Sequence, residues 1–174
     1  MFRFAPVLAV ATLAGACAVL PVPAPFPVNG FELTGRVAVR YGKEGVSGRV
    51  FWRHANDSDD LLITSPLGQG VARVSRSGGE ARLVTGEGGE YRAADAETLT
   101  EHVLGWRLPL AGLPDWVQGR ASPGRPAELR RDGAGRVIDL RQDDWKIEYQ
   151  EYEGERPSRL RLSRGNLEIR LVID

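Results

Sequence analysis

Glu32-Leu33-Thr34-Gly35-Arg36-Val37-Ala38-Val39-Arg40-Tyr41, followed after a short turn by Val46-Ser47-Gly48-Arg49-Val50-Phe51-Trp52-Arg53-His54, decides the fold. In the first stretch Leu33, Gly35, Val37, Val39 and Tyr41 fall on one face, and Arg36 and Arg40 on the other. In the second, Val46, Gly48, Val50 and Trp52 point one way and Arg49 and Arg53 the other, while Phe51 lands among the arginines. A period of two with one apolar and one charged face is the pattern of an antiparallel sheet wetted on one side. Lys43-Glu44-Gly45 supplies the turn, so the pair reads as a hairpin.

The same alternation continues on both sides of a central interruption. Asn56-Asp57-Ser58-Asp59-Asp60 reads as a solvated turn, since its acidic residues lack the spacing of a calcium loop. Leu61 to Thr64, Val71 to Ser75, Glu80 to Thr85 and Glu90 to Ala93 are short strands, separated by glycine-rich turns without a dinucleotide fingerprint. After a polar loop from Arg120 to Pro126, strands resume over Arg136 to Arg141. Trp145, Ile147 and Tyr149 then alternate with charged neighbours, as do Leu160 and Leu162, and Leu167, Ile169, Leu171 and Ile173. Between the halves, Asp95-Ala96-Glu97-Thr98 starts a helix with carboxylates in its first turn. Ala96, Leu99 and Val103, with His102 beside them, follow its spacing up to Gly105. Pro109 and Pro114 allow only short helical pieces beyond. The expected fold is mainly β (α+β): an unclosed antiparallel barrel of ten to eleven strands with a short helical insert.

Ser65-Pro66-Leu67-Gly68-Gln69-Gly70 is a forced turn carrying Leu67 among polar neighbours. On the residues alone two readings stand equal: Leu67 folds back on the core, or it is an exposed apolar finger for a membrane.

The chain opens with a positive start at Met1 to Arg3, a mostly apolar run from Phe4 to Leu13, and Leu13-Ala14-Gly15-Ala16-Cys17. This is the plan of a secretory signal, too short for a spanning helix of about 20 residues. The small residues before the single cysteine resemble the bacterial lipobox, with Ala14 in the usual leucine position. That resemblance implies a signal peptide over 1–16, removed before an acylated Cys17, and an anchor that is effectively permanent. The alternative is an ordinary secretory signal with an incidental cysteine. Ala18 is not the aspartate that in such lipoproteins marks inner-membrane retention, which points to the outer membrane. Residues 17–30, with four prolines, read as an extended tether, and 31–174 as one domain with a sizeable core.

The 23 basic and 23 acidic residues balance, and all the basic ones but Lys43 and Lys146 are arginines scattered along the chain. No extended nucleic-acid surface is expected. His54 and His102 stand in no metal-ligand spacing, Ser47 lies in no nucleophile elbow, and Asp143-Asp144 reads as a solvated turn. No enzyme chemistry, metal or cofactor is expected.

Several motifs together resemble the LolB family: the lipobox cysteine, Phe31-Glu32-Leu33-Thr34-Gly35-Arg36, Gly48-Arg49-Val50-Phe51-Trp52 and Ser65-Pro66-Leu67-Gly68. Further on come Leu104-Gly105-Trp106-Arg107-Leu108-Pro109-Leu110 with Trp116 and Gly119, and Trp145-Lys146-Ile147-Glu148-Tyr149. The resemblance implies an outer-membrane, lipid-anchored receptor facing the periplasm, acting as a monomer, which accepts lipoproteins from the periplasmic carrier LolA. It implies an apolar cavity under a helical lid for the cargo's acyl chains. The candidate wall residues are Val37, Val39, Val50, Trp52, Leu99, Val103, Trp116, Trp145, Ile147 and Tyr149. It also assigns the Pro66-Leu67-Gly68 turn to membrane insertion. The alternative is a structural or assembly lipoprotein whose sheet binds a protein partner through an edge strand.

Overall fold

The computed structural model describes residues 30–174; the expected signal peptide, Cys17 and nearly all of the expected tether lie outside the described residues. The strands are β1 (Gly30–Tyr41), β2 (Glu44–Ala55), β3 (Ser58–Thr64), β4 (Gly70–Ser77), β5 (Glu80–Thr85) and β6 (Glu90–Ala93). Then come α1 (Ala96–Leu104) and α2 (Leu113–Trp116), followed by β7 (Glu128–Arg131), β8 (Val137–Gln142), β9 (Trp145–Glu153), β10 (Arg156–Arg164) and β11 (Leu167–Ile173). All eleven strands make one antiparallel sheet in the order β6-β5-β4-β3-β2-β1-β11-β10-β9-β8-β7. β1 begins at Gly30, the last residue assigned to the tether.

The closing step is the pairing of β1 with β11, from Gly35 opposite Ile173 to Tyr41 opposite Leu167. It sets the two halves of the chain side by side, with β6 and β7 as free edges, so the barrel stays open. Alternate residues face one core: Leu33, Val50, Trp52, Val74, Leu83, Leu140, Ile147, Leu160 and Leu162 are all buried. At Gly35 and Gly48 the sheet comes very close to its own backbone. A Cβ at Gly48 would lie 1.9 Å from the Thr64 carbonyl oxygen, and one at Gly35 2.3 Å from that of Val172. Only glycine fits such crossings, which let the strands bend inward. Most of the arginines face outward, in exposed pairs such as Arg53 with Glu32 at 2.6 Å. Pairs of this kind contribute about 0–1 kcal/mol each. Phe51 is exposed among them, with the Arg49 guanidinium 5.9 Å from its ring centroid.

The helix starts as the sequence suggests. Asp95 caps α1, accepting from the Thr98 amide at 2.7 Å and the Glu97 amide at 3.3 Å, and hydrogen bonding to Thr98 holds its carboxyl below the usual range. Gly105 ends the helix at a positive φ of 79°.

Three expectations are corrected. Tyr41 and Val46, placed on the core face, are exposed, because the β1–β2 hairpin runs past the last β2–β3 pair, Arg49 with Thr64. β7 was not expected: it is an edge strand, exposed throughout, so burial imposes no alternation on it. Asp59, read as part of a solvated turn, belongs to β3, where its side chain is fully buried.

Candidate functional site

The segment from α1 to α2 crosses the inner face of the sheet as a strap. Its first end packs on β5 and β6 through α1. Its far end is pinned by Gln142 on β8. The Gln142 carboxamide oxygen accepts from Trp116 Nε1 at 2.9 Å and from the Ser122 amide at 2.8 Å. Its nitrogen donates to the carbonyls of Ser122 at 2.9 Å and Arg125 at 3.2 Å. The Tyr149 hydroxyl adds a bond to the Trp116 carbonyl at 2.9 Å. Burial pushes that phenol well above its ordinary pKa, so it remains a donor.

Between these ends the strap is held by packing, with Leu108 and Leu110 buried, and by few polar ties. Thr100, fully buried on α1, accepts the Leu108 amide at 2.9 Å and donates to the Glu97 carbonyl at 3.0 Å. Arg107 pairs with Glu101 at 2.6 Å on the exposed side.

Under the strap lies a cavity of about 40 Å³ whose wall is entirely apolar. The sheet contributes Leu33 and Val37 from β1, Val50 and Trp52 from β2, Leu61 and Ile63 from β3, Leu162 from β10, and Ile169 and Leu171 from β11. The strap contributes Trp106, Leu108 and Leu113. Space of this size takes about three water-sized groups. Leu33 is also a wall of a surface cleft of about 340 Å³ between the start of β1, the β9–β10 turn and the end of α2.

Trp52 is the one large wall residue of the sheet with a polar atom, and that atom is turned away. Its Nε1 donates to Asp59 Oδ1 at 2.9 Å. Asp59 also accepts from Arg76 Nε at 2.9 Å and lies 2.8 Å from His54 Nδ1. The buried carboxylate thus fixes the indole, and Phe31 packs edge-on against that ring at 4.9 Å between centroids.

Of the ten wall residues named from the sequence, Val37, Val50 and Trp52 line the cavity. Val39, Leu99, Val103, Trp116, Trp145, Ile147 and Tyr149 belong to the same apolar core but do not line it. Trp116 and Trp145 instead pack on each other at 6.2 Å, filling the space where the far end of the strap is pinned. Thr100, Gln142 and Asp59 have buried roles that local sequence does not mark. The motif around Trp106 and Leu108 marks the strap, whereas these three polar groups carry no local signal.

The Leu67 turn projects from the sheet. The Gly68 amide bonds to the Ser65 carbonyl at 2.9 Å and the Ser65 amide to the Gln69 carbonyl at 2.7 Å, closing a three-residue loop over Pro66-Leu67-Gly68. Pro66 presets the first corner, and Gly68 takes the left-handed position at φ 85°. Leu67 does not fold back: it is 90% exposed.

Comparison with known proteins identifies the family. The family model described as "Outer membrane lipoprotein LolB" matches residues 29–174. The outer-membrane lipoprotein LolB of Thiobacillus denitrificans is 41% identical over 100% of this chain and 97% of its own length. That of Nitrosomonas europaea is 44% identical over 83% of this chain and 71% of its own. Among solved structures, a LolA superfamily protein from Nitrosomonas europaea aligns over 86% of each chain with a TM-score of 0.46 and 10% identity, too slight a likeness to add to the assignment. With a family match across all the described residues and relatives of this identity, the chain belongs to the LolB family of lipid-anchored outer-membrane lipoproteins, the receptors of the lipoprotein localisation pathway.

Proposed function

We propose that the space under the Trp106–Leu113 strap receives the acyl chains of lipoproteins handed over by the carrier LolA, and that the Leu67 turn delivers them to the outer membrane. The protein works as a monomer, by binding and release and without bond-making chemistry. The observation that supports this most directly is the all-apolar wall shared by sheet and strap. A wall of that kind has nothing to offer a polar ligand and suits a hydrocarbon chain.

The cavity is too small for such a chain while the strap is down, so the strap lifts on loading. Its middle, tied by packing and the Thr100–Leu108 hydrogen bond, is the part that moves: the near end rests on β5 and β6, and the far end is held by Gln142. Lifting it exposes Trp106, Leu108 and Leu113 together with the cavity wall opposite. An acyl chain that takes their place restores the burial, at roughly 0.8 kcal/mol per methylene. A bilayer offers the same burial, so hand-over needs no other energy source.

Mature protein from which Cys17 has been removed, residues 18–174, is mixed with carrier preloaded with a labelled lipoprotein and separated by size. Movement of label to the receptor is the expected result. A folded receptor and active carrier with no movement would sink the reading.

A further inference from the structure

We infer that the tip of the β1–β2 hairpin is a second membrane-contacting element, acting beside the Leu67 turn; the inference rests on Leu67 facing the bilayer. Strands alternate in direction, so the β1–β2 and β3–β4 turns emerge at the same end of the sheet. The last β2–β3 pair is Arg49 with Thr64, and both Val46 and Leu67 lie beyond it. From Glu44 to Gly48, β2 is paired only with β1. On its β3 side, toward the Leu67 turn, the hairpin tip therefore has no neighbouring strand, while on its other side β1 stays paired with β11 as far as Tyr41 and Leu167.

What it carries fits a bilayer surface. Among the described residues, seven large apolar or aromatic side chains are exposed, and four lie at this end of the sheet: Tyr41 at 44%, Val46 at 46%, Leu67 at 90% and Val71 at 36%. The others are on the outer face (Phe51) and the edge strands (Tyr91 and Leu129). Tyr41 and Val46 are on the same strand face, and the pairs Val39–Val46 and Tyr41–Glu44 make them diagonal neighbours. Both remain exposed although they share the core-side face of their strands. Tyrosine places an apolar ring and a hydroxyl at the headgroup level, and Lys43 at the turn can meet a lipid phosphate. A single leucine enters lipid at one point and leaves the domain free to swivel. A second contact set back from it would hold the strap at a fixed angle to the membrane.

The test uses the mature chain with Cys17→Ser, which has no other cysteine, and an environment-sensitive fluorophore on single cysteines introduced by Val46→Cys, Leu67→Cys or Asp57→Cys. Asp57 lies in the β2–β3 turn at the opposite end. Urea midpoints first confirm that each variant folds. With vesicles of phosphatidylethanolamine and phosphatidylglycerol, labels at 46 and 67 should shift to the blue and brighten severalfold, while that at 57 should not change. A shift at 67 without one at 46 overturns the inference and leaves the Leu67 reading standing. A shift at 46 without one at 67 keeps the hairpin contact and overturns the Leu67 reading. No shift at either, or an equal shift at 57, overturns both. Unlabelled Tyr41→Ser/Val46→Ser protein should bind the same vesicles about tenfold more weakly, the effect of about 1.4 kcal/mol of lost apolar burial.

Discussion

Thr100→Val tests whether loading passes through a lifted strap. The substitution keeps the branched shape and removes the hydroxyl that accepts the Leu108 amide at 2.9 Å. With the strap down, that amide is then buried without a partner. A buried unsatisfied donor costs about 1–3 kcal/mol. With the strap up, the amide meets water, so the penalty falls on the closed state alone. A loss of about 1–2 kcal/mol lowers the closed-to-open ratio by about 5- to 30-fold. Stopped-flow uptake of a fluorescent fatty acid should accelerate by that factor, and urea unfolding should show a stability loss of similar size. Thr100→Ser keeps the hydroxyl and should load at close to the normal rate. If Thr100→Val were destabilised in urea yet took up the probe at the unaltered rate, loading would not depend on breaking this contact, and the lifted-strap account would fail.

Leu67→Glu should leave stability within about 0.5 kcal/mol of the original, as expected of an exposed site, and leave cargo uptake from the carrier intact while blocking insertion into vesicles. Insertion at the normal level would show that the turn is not the delivery element. Gln142→Leu strips partners from Trp116 Nε1 and the Ser122 amide. Two buried donors left unpaired should lower unfolding stability by roughly 2–5 kcal/mol, read from the urea midpoint at constant slope; a loss near zero would mean the strap's far end is held by packing alone. Gly112→Ala sets a Cβ 2.2 Å from the Trp116 ring. Overpacking of this kind costs typically about 1–3 kcal/mol, and the near-ultraviolet circular dichroism of the tryptophans should change with it. Glu90 on β6 is held down to about 2 by the Arg82 side chain and then by Arg92. Its folded value lies below the ordinary one of 4.5, so its stabilising contribution is present above that value and disappears as the pH falls toward about 2. A carboxyl chemical-shift titration should place its midpoint there, and Glu90→Gln should remove this part of the acid dependence.

The alternation in Glu32–Tyr41 and Val46–His54 determined an antiparallel sheet with one wet face, because a period of two can satisfy burial in no other way. Asp95 and Gly105 likewise marked α1, since the groups that start and stop a helix are local. The proline and glycine around Leu67 dictated a turn for the same reason, although whether its leucine pointed in or out was undecided. What the tertiary structure decided is which residues meet. β1 pairs with β11 across the length of the domain, and that pairing brings Leu171 and Ile169 opposite a strap from the middle of the chain. Local pattern cannot distinguish Ile147, buried in the filled half of the core, from Val50, which lines the cavity. Gln142 gives no sign of being a buried anchor until Trp116, 26 residues away, is laid against it. Asp59 passes for a solvated turn residue until the register sets it opposite His54 and under Trp52. Periodicity reports the face a side chain takes; the partner that satisfies a buried polar group, and the space left beside it, are fixed only when distant strands are in place.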